Sequence, residues 1–308
     1  MAIPIDRLAG AFRAAGAAKK DSDVPVRVAV FVDASASAFL VGAVRRALVP
    51  QTTSALVRVE RLEPGRPPVV KPDTDISLVL TCGGEHLQEA VQQVVIGGAP
   101  TAVLAESAVE APFIQADTPM LGLICATDET YLLETLARWI LDRTDKDTAF
   151  AANFPFMRVA AANRVIANAA LANMATGALF FIPGADFPVM TLAQLGMMGR
   201  LALVYGKPIR PERGYEAVGV VAAGLLLRAG ARRAAPAAGH AAFAVKALVG
   251  GAGTYAVGRG LSALYERDVD YARANEALAR LAARGRELVA LVRGGTAAPA
   301  GGSDGRAA

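Results

Sequence analysis

The chain is poor in the residues that most often carry metal and redox chemistry. Its 308 residues contain two cysteines, Cys82 and Cys125, and two histidines, His86 and His240. Two cysteines cannot build a disulfide framework, and these four side chains do not form a Cys/His zinc cluster. Aromatic residues make up 6% of the chain, with one Trp. No stretch interleaves basic and aromatic side chains, which argues against nucleic acid as a partner. Charged residues are also few, 19% against 54% hydrophobic, a balance that excludes a mostly disordered chain. No basic n-region with an apolar h-region opens the sequence, so a cytoplasmic protein is expected. No intact catalytic constellation is visible, and no cofactor is expected.

The charge that is present is unevenly placed. Residues 1–150 carry 14 Lys and Arg against 19 Asp and Glu, net −5, whereas residues 151–308 carry 18 against 9, net +9. Length and charge asymmetry together suggest two units with different surroundings. Arginine outnumbers lysine 26 to 6 and alanine is abundant, so alanine alone carries little weight in assigning helices.

Periodicity divides the chain in the same way. Residues 1–24 read as a short helix, Ile5 to Ala18, with a polar hinge after it. Apolar runs then predict strands at Val26–Val32, Ala55–Leu62, Ile76–Leu80, Pro100–Leu104 and Met120–Ala126. Helical spacing is found at Phe39–Val49, Leu87–Ile96 and Glu129–Leu141. Alternating strands and helices over residues 25–148 imply an α/β domain with a mostly parallel five-stranded sheet in three layers. From residue 155 to 293 the strand signal is gone, and helices are expected at Arg158–Phe181, Pro188–Tyr205, Arg213–Arg228, His240–Tyr265 and Asp268–Val292. This half is all-α, and residues 294–308 read as a disordered tail.

The first strand–helix junction, Val32-Asp33-Ala34-Ser35-Ala36-Ser37-Ala38, has no glycine or lysine to cradle a phosphate, and Asp33 would repel one. Gly206-Lys207 is followed by proline and is no P-loop either. The order of elements over residues 26–145 nevertheless resembles an Era-like GTPase domain. Strand Asp75–Thr81 takes the place before the guanine-reading strand, Gly98–Leu104 the place of that strand, and Leu123–Leu141 the place of the last strand and helix. The positions that contact nucleotide in such GTPases are substituted, with Ala105-Glu106-Ser107-Ala108 in place of Asn-Lys-x-Asp and Cys125 where serine is usual. The resemblance therefore implies a GTPase-like fold without a nucleotide site.

The same junction has two other readings. Asp33, Ser35 and Ser37 resemble the first element of the metal-ion-dependent adhesion site of von Willebrand A domains, a hard-oxygen set suited to Mg²⁺. The simpler reading, preferred here, is that Asp and Ser cap the following helix. Cys82 and Cys125, each at a strand end, read as small buried thiols, and His86 is given no role.

In the helical half, Phe180-Phe181-Ile182-Pro183-Gly184-Ala185-Asp186 leads into Gln194-Leu195-Gly196-Met197-Met198-Gly199-Arg200-Leu201 and then Val204-Tyr205-Gly206. Gly250-Gly251-Ala252-Gly253-Thr254-Tyr255-Ala256-Val257-Gly258-Arg259 follows. This series over residues 160–266 resembles the bacterial domain of unknown function 697, through its Ile-Pro centre, Gln-x-x-Met-x-x-Arg-Leu helix, Tyr-Gly stop and Thr-Tyr-Ala-x-Gly helix. The motif residues are Pro183, Gly184, Asp186, Gln194, Arg200, Tyr205, Gly206, Thr254, Tyr255 and Gly258. The resemblance implies a partner for an Era-like domain and a place at a bacterial inner membrane.

The residues themselves give partial support for a membrane. Positions 165–185 form 21 residues without charge, close to the ~20 needed to span a bilayer, although Asn168, Asn173 and Thr176 interrupt them. Lys246 and Arg259 would have to pair or snorkel. Asp186 is read as a helix cap, with an intramembrane pair to Arg200 as the sharper alternative. The +9 half suits an anionic lipid surface. These observations give the expectation of a non-catalytic scaffold or regulatory protein on the cytoplasmic face of the plasma membrane, with a protein partner. The alternatives are an atypical nucleotide- or Mg-dependent hydrolase using the 33–37 loop and a soluble cytoplasmic helical-bundle protein.

Overall fold

The structure is a computed structural model that describes residues 24–179, 186–207 and 242–267, with scattered helical positions between Glu216 and Gly230. The expected helices Ile5–Ala18 and Asp268–Val292, most of Arg213–Arg228, the tail from residue 294, and Pro183 and Gly184 lie outside the described residues.

Five strands, β1 (Val26–Val32), β2 (Ala55–Arg61), β3 (Ile76–Leu80), β4 (Thr101–Ala105) and β5 (Leu121–Cys125), form one sheet in the order β2-β1-β3-β4-β5. Every pairing is parallel. Val30 stands between Val59 and Leu78, and Ala102 between Leu78 and Gly122. Strands β3 and β4 are buried at every position and β1 at most of its positions. A central strand covered on both faces has no polar face to alternate with, so it reads as an unbroken apolar run.

Helices cover both faces. On one, Val28, Val30, Leu78, Leu80 and Leu104 meet Leu40, Ala43 and Val44 of α1 (Ala38–Ala47) and Leu132, Leu136 and Ile140 of α3 (Glu129–Leu141). On the other, Ala29, Phe31, Val79 and Val103 meet Leu87, Val91 and Val94 of α2 (Leu87–Ile96). The caps are local. Ser37 Oγ accepts from the Leu40 amide at 3.2 Å and Asp128 Oδ1 from the Tyr131 amide at 2.8 Å, each satisfying a donor that the first helical turn leaves open.

A short helix that periodicity did not anticipate, α4 (Asp147–Asn153), joins the sheet to the helical half. Its Phe150, with Phe154 just beyond it, is fully buried. Asn153, also fully buried, accepts from the Thr52 hydroxyl at 2.7 Å and donates to the Ala149 carbonyl at 2.9 Å. This ties α4 to the start of β2. Beyond it run α5 (Arg158–Leu179), α6 (Asp186–Val204) and α7 (Ala242–Glu266). The apolar core that begins under the sheet continues through Phe150, Phe154 and Met157 to Ile166, Leu201 and Tyr265. The all-parallel sheet with helices and the helical C-terminal part are the architecture expected from the sequence.

Among the described residues no helix is long and apolar enough to cross a membrane. The charge-free stretch from residue 165 is the greater part of α5 up to Leu179, and Asn173 within it is buried against α7 rather than turned outward.

Candidate functional site

A doubly wound parallel sheet opens a crevice where the chain reverses direction along the sheet, outside the carboxyl ends of the strands. Here that point lies between β1 and β3, because β2 follows β1 on one side and β3 is added on the other. Asp33 follows β1 and Thr81 follows β3, so the fold itself brings them together.

The polar side chains at this point are bonded to one another and to backbone amides. Thr81 is fully buried and donates its hydroxyl to Asp33 Oδ2 at 3.0 Å. The Ser35 hydroxyl donates to the same Oδ2. Each hydroxyl in turn accepts a backbone N–H, Ser35 from Cys82 at 3.0 Å and Thr81 from Gly83 at 3.1 Å. Asp33 Oδ1 accepts from the Ala34 amide at 2.9 Å. Gly84 is needed for the fit, since a Cβ there would collide with the Asp33 carboxylate, and Gly83 has φ +92°, a conformation glycine adopts without strain.

Of the three sequence candidates at this junction, the structure brings Asp33 and Ser35 together and sets Ser37 apart as the α1 cap. Asp33 is no cap; its carboxylate holds two strand ends together. Thr81, which sequence reasoning did not single out, completes the set. Its signal was present, a polar residue ending an otherwise apolar strand, but its partner is 48 positions away. The chemistry of this set is limited. Both hydroxyl protons go to one carboxylate, and the hydrogen bonds of the three side chains involve only one another and backbone amides. Neither hydroxyl is paired with an imidazole or amine that would activate it as a nucleophile. A divalent cation here would have one carboxylate and two hydroxyls as ligands, without Ser37. Among the described residues no group of three His, Cys, Asp or Glu side chains converges as a metal site.

The two cysteines, expected as buried thiols, are both only half-buried. Cys125 ends β5, where burial first and the Glu110 carboxylate second push its thiol pKa above the usual value. A thiol held protonated in this way is a poor nucleophile. His86 precedes α2 and makes no side-chain capping bond. An open groove lies elsewhere, lined by Arg46, Val49, Gln51, Glu129, Leu133 and Phe156, with Arg46 bonded to Glu129 at 2.7 Å along it.

The second constellation lies inside the helical half. Asn173 Nδ2 donates to Thr254 Oγ1 at 2.8 Å, and Gln194 Nε2 donates to the same oxygen at 3.0 Å. One hydroxyl thus joins α5, α6 and α7, with all three side chains buried. Asn173 Oδ1 is buried without a hydrogen-bond partner. Small residues allow this approach. A Cβ on Gly250 would lie 2.9 Å from the Asn173 carbonyl oxygen, and one on Gly258 would lie 2.8 Å from Ile166 Cγ1.

At the other end of α6, Gly206 has φ +64°, with Gly206 N–H bonded to the Leu203 carbonyl and Lys207 N–H to that of Ala202, both at 2.8 Å. This left-handed glycine stop terminates the helix. Tyr205 donates to Glu266 Oε1 at 2.8 Å and meets Ser262 Oγ at 2.6 Å. Burial pushes its phenol above the ordinary value, with the Ser262 contact opposing and the Glu266 contact adding to the rise. Gln194, Tyr205, Gly206, Thr254 and Gly258 of the sequence motifs are therefore packing and helix-ending residues of one bundle. Tyr255 and Arg200 face outward. Asp186 opens α6 and Arg200 lies fourteen residues along it; the Asp186 side chain, and with it the cap and the pair expected of it, lies outside the described residues. Asn173 was noted from sequence only as an interruption of the charge-free stretch, and Ser262 and Glu266 were not identified. Compared with protein-family models, with curated proteins and with solved structures, the chain matches none.

Proposed function

We propose that this protein is a non-catalytic scaffold or regulatory protein, built from an α/β domain of GTPase-like strand order and a basic helical domain, and attached peripherally to the cytoplasmic face of the plasma membrane. The non-catalytic half of this reading rests on one observation. The crevice between β1 and β3, where a sheet of this kind takes its ligand, holds a carboxylate clamped by Ser35 and Thr81. The Asp33 carboxyl occupies the junction, and the loop around it supplies no lysine to hold a phosphate. The α/β domain then offers its surfaces to a protein rather than its crevice to a nucleotide.

The membrane half is supported by the +9 charge of residues 151–308 and by helices α5, α6 and α7, whose charged residues are few. The attachment is taken as peripheral rather than integral; among the described residues no helix is long and apolar enough to cross a membrane. The direct test of the non-catalytic half is calorimetric titration of the full chain with GTP and Mg²⁺. No binding at micromolar nucleotide is expected. Micromolar binding that disappears in Asp33→Ala would overturn the scaffold reading in favour of a nucleotide- or Mg-dependent hydrolase using the 33–37 loop.

A further inference from the structure

We infer that the outer face of the α5–α7 helix pair is the surface that meets the bilayer, with its apolar side chains placed among the headgroups and upper acyl chains of an anionic leaflet. The inference rests on the membrane half of the function proposed above and names the part of the protein that makes the contact.

The two helices are antiparallel and closely packed. Lys246 of α7 crosses at Gly177 of α5, where a Cβ would lie 2.9 Å from the Lys246 carbonyl oxygen, and Arg259 donates to Asn163 Oδ1 at 2.8 Å toward the other end. Their inner faces are spent on each other and on α6. The outer face remains, and it exposes large apolar side chains. Leu171 is 58% exposed, Leu248 64% and Tyr255 50%, with Met174 beside them at 38%. Scattered exposed apolar residues are ordinary, but large ones gathered on two adjacent helices mark a contact surface.

The charge pattern selects lipid as the occupant. Between Glu216 and Glu266 there are five cations, Arg228, Arg232, Arg233, Lys246 and Arg259, and no carboxylate. On α7, Arg259 shares a face with Leu248, Ala252 and Tyr255, eleven residues beyond Leu248, about 16 Å along the axis. A long basic side chain there can lay its stem along the apolar face and reach phosphates at its margin. Each basic residue near an anionic leaflet adds to binding, and apolar burial adds a part that salt does not screen. A protein partner of ordinary mixed surface would gain less from a fifty-residue stretch with no acidic group.

The experiment is flotation of the purified full chain with vesicles of phosphatidylcholine alone or with one-third phosphatidylglycerol, at low and high salt. The comparison includes Leu171→Glu and Leu248→Glu, both at exposed positions, with thermal melts to confirm that the variants fold. Flotation with anionic vesicles, partly retained at high salt and weakened about tenfold or more by either substitution, is the expected result. As a second readout, Leu248→Trp should bind at least as well as wild type and shift its emission to the blue on adding anionic vesicles. Binding that salt abolishes and that neither substitution weakens would overturn the inference while leaving peripheral attachment standing. No flotation with any vesicle would overturn both. A dimer in solution that Leu248→Glu dissociates, without vesicle binding, would instead assign the face to a second copy of the chain.

Discussion

Thr81 donates its hydroxyl to the Asp33 carboxylate at 3.0 Å, joining the ends of two neighbouring parallel strands at the place where a doubly wound sheet otherwise opens to a ligand. The bond spends on structure what related architectures spend on binding. Because Ser35 serves the same oxygen, Asp33 is the acceptor for two hydroxyls and the Ala34 amide at once.

Removing that carboxylate should therefore cost stability. Asp33→Ala leaves the buried Thr81 hydroxyl without its acceptor, and a loss of about 1–3 kcal/mol is expected by denaturant unfolding. Thr81→Ser keeps the bond and should cost less than half as much.

The Thr254 hydroxyl accepts from Asn173 and Gln194 together, so Thr254→Val should be more damaging than its near-equal volume suggests. Two buried amides lose an acceptor, for a cost of about 2–4 kcal/mol. Thr254→Ser should retain most of the stability. Chemical denaturation of the two variants side by side checks the difference.

The helical glycines divide into two kinds. Gly250→Ala puts a methyl 2.6 Å from Met190 Cε and 2.9 Å from the Asn173 carbonyl oxygen, whereas Gly196→Ala meets nothing within 4 Å. The first should destabilise by about 1–3 kcal/mol through overpacking. The second should stabilise by up to about 1 kcal/mol through helix propensity. Opposite shifts in melting temperature are the expected outcome.

Burial raises the Tyr205 phenol above its ordinary value near 10. The unfolded chain then loses this proton before the folded one does. Stability from this group is present in full below about pH 10 and is lost as pH rises through the raised value. Tyr205→Phe should cost about 1 kcal/mol at neutral pH through the lost hydrogen bonds and should flatten the decline above pH 10. Urea midpoints measured across that range give both numbers.

The strands were legible because a buried parallel strand is an unbroken apolar run. Ile76–Leu80 and Val26–Val32 have the expected limits, and Glu129–Leu141 carries its helical stripe openly. Helix α4 was not legible. Seven residues are too few for a period to establish itself, and Phe150 and Phe154 acquire their meaning only from the core they join. The site was partly legible. Asp33, Ser35 and Ser37 stood out together, as hard-oxygen ligands or, in the preferred reading, as helix caps, and Gln194 and Thr254 as motif residues. Thr81 did not, and Asn173 was noted only as an interruption of an apolar stretch, since contacts spanning 48 and 81 positions leave no trace in local spacing. Ser37 was drawn into the metal-like pattern by its spacing, although its position as a helix cap already accounted for it.

The central claim, a non-catalytic protein held at the inner face of the membrane without crossing it, is tested most directly by cell fractionation with a salt wash and an alkaline carbonate wash. The account predicts the chain in the membrane pellet and its release by carbonate. Recovery of all the protein in the soluble fraction would contradict it and favour a soluble bundle protein. Retention after carbonate would contradict it from the other side, as an integral attachment.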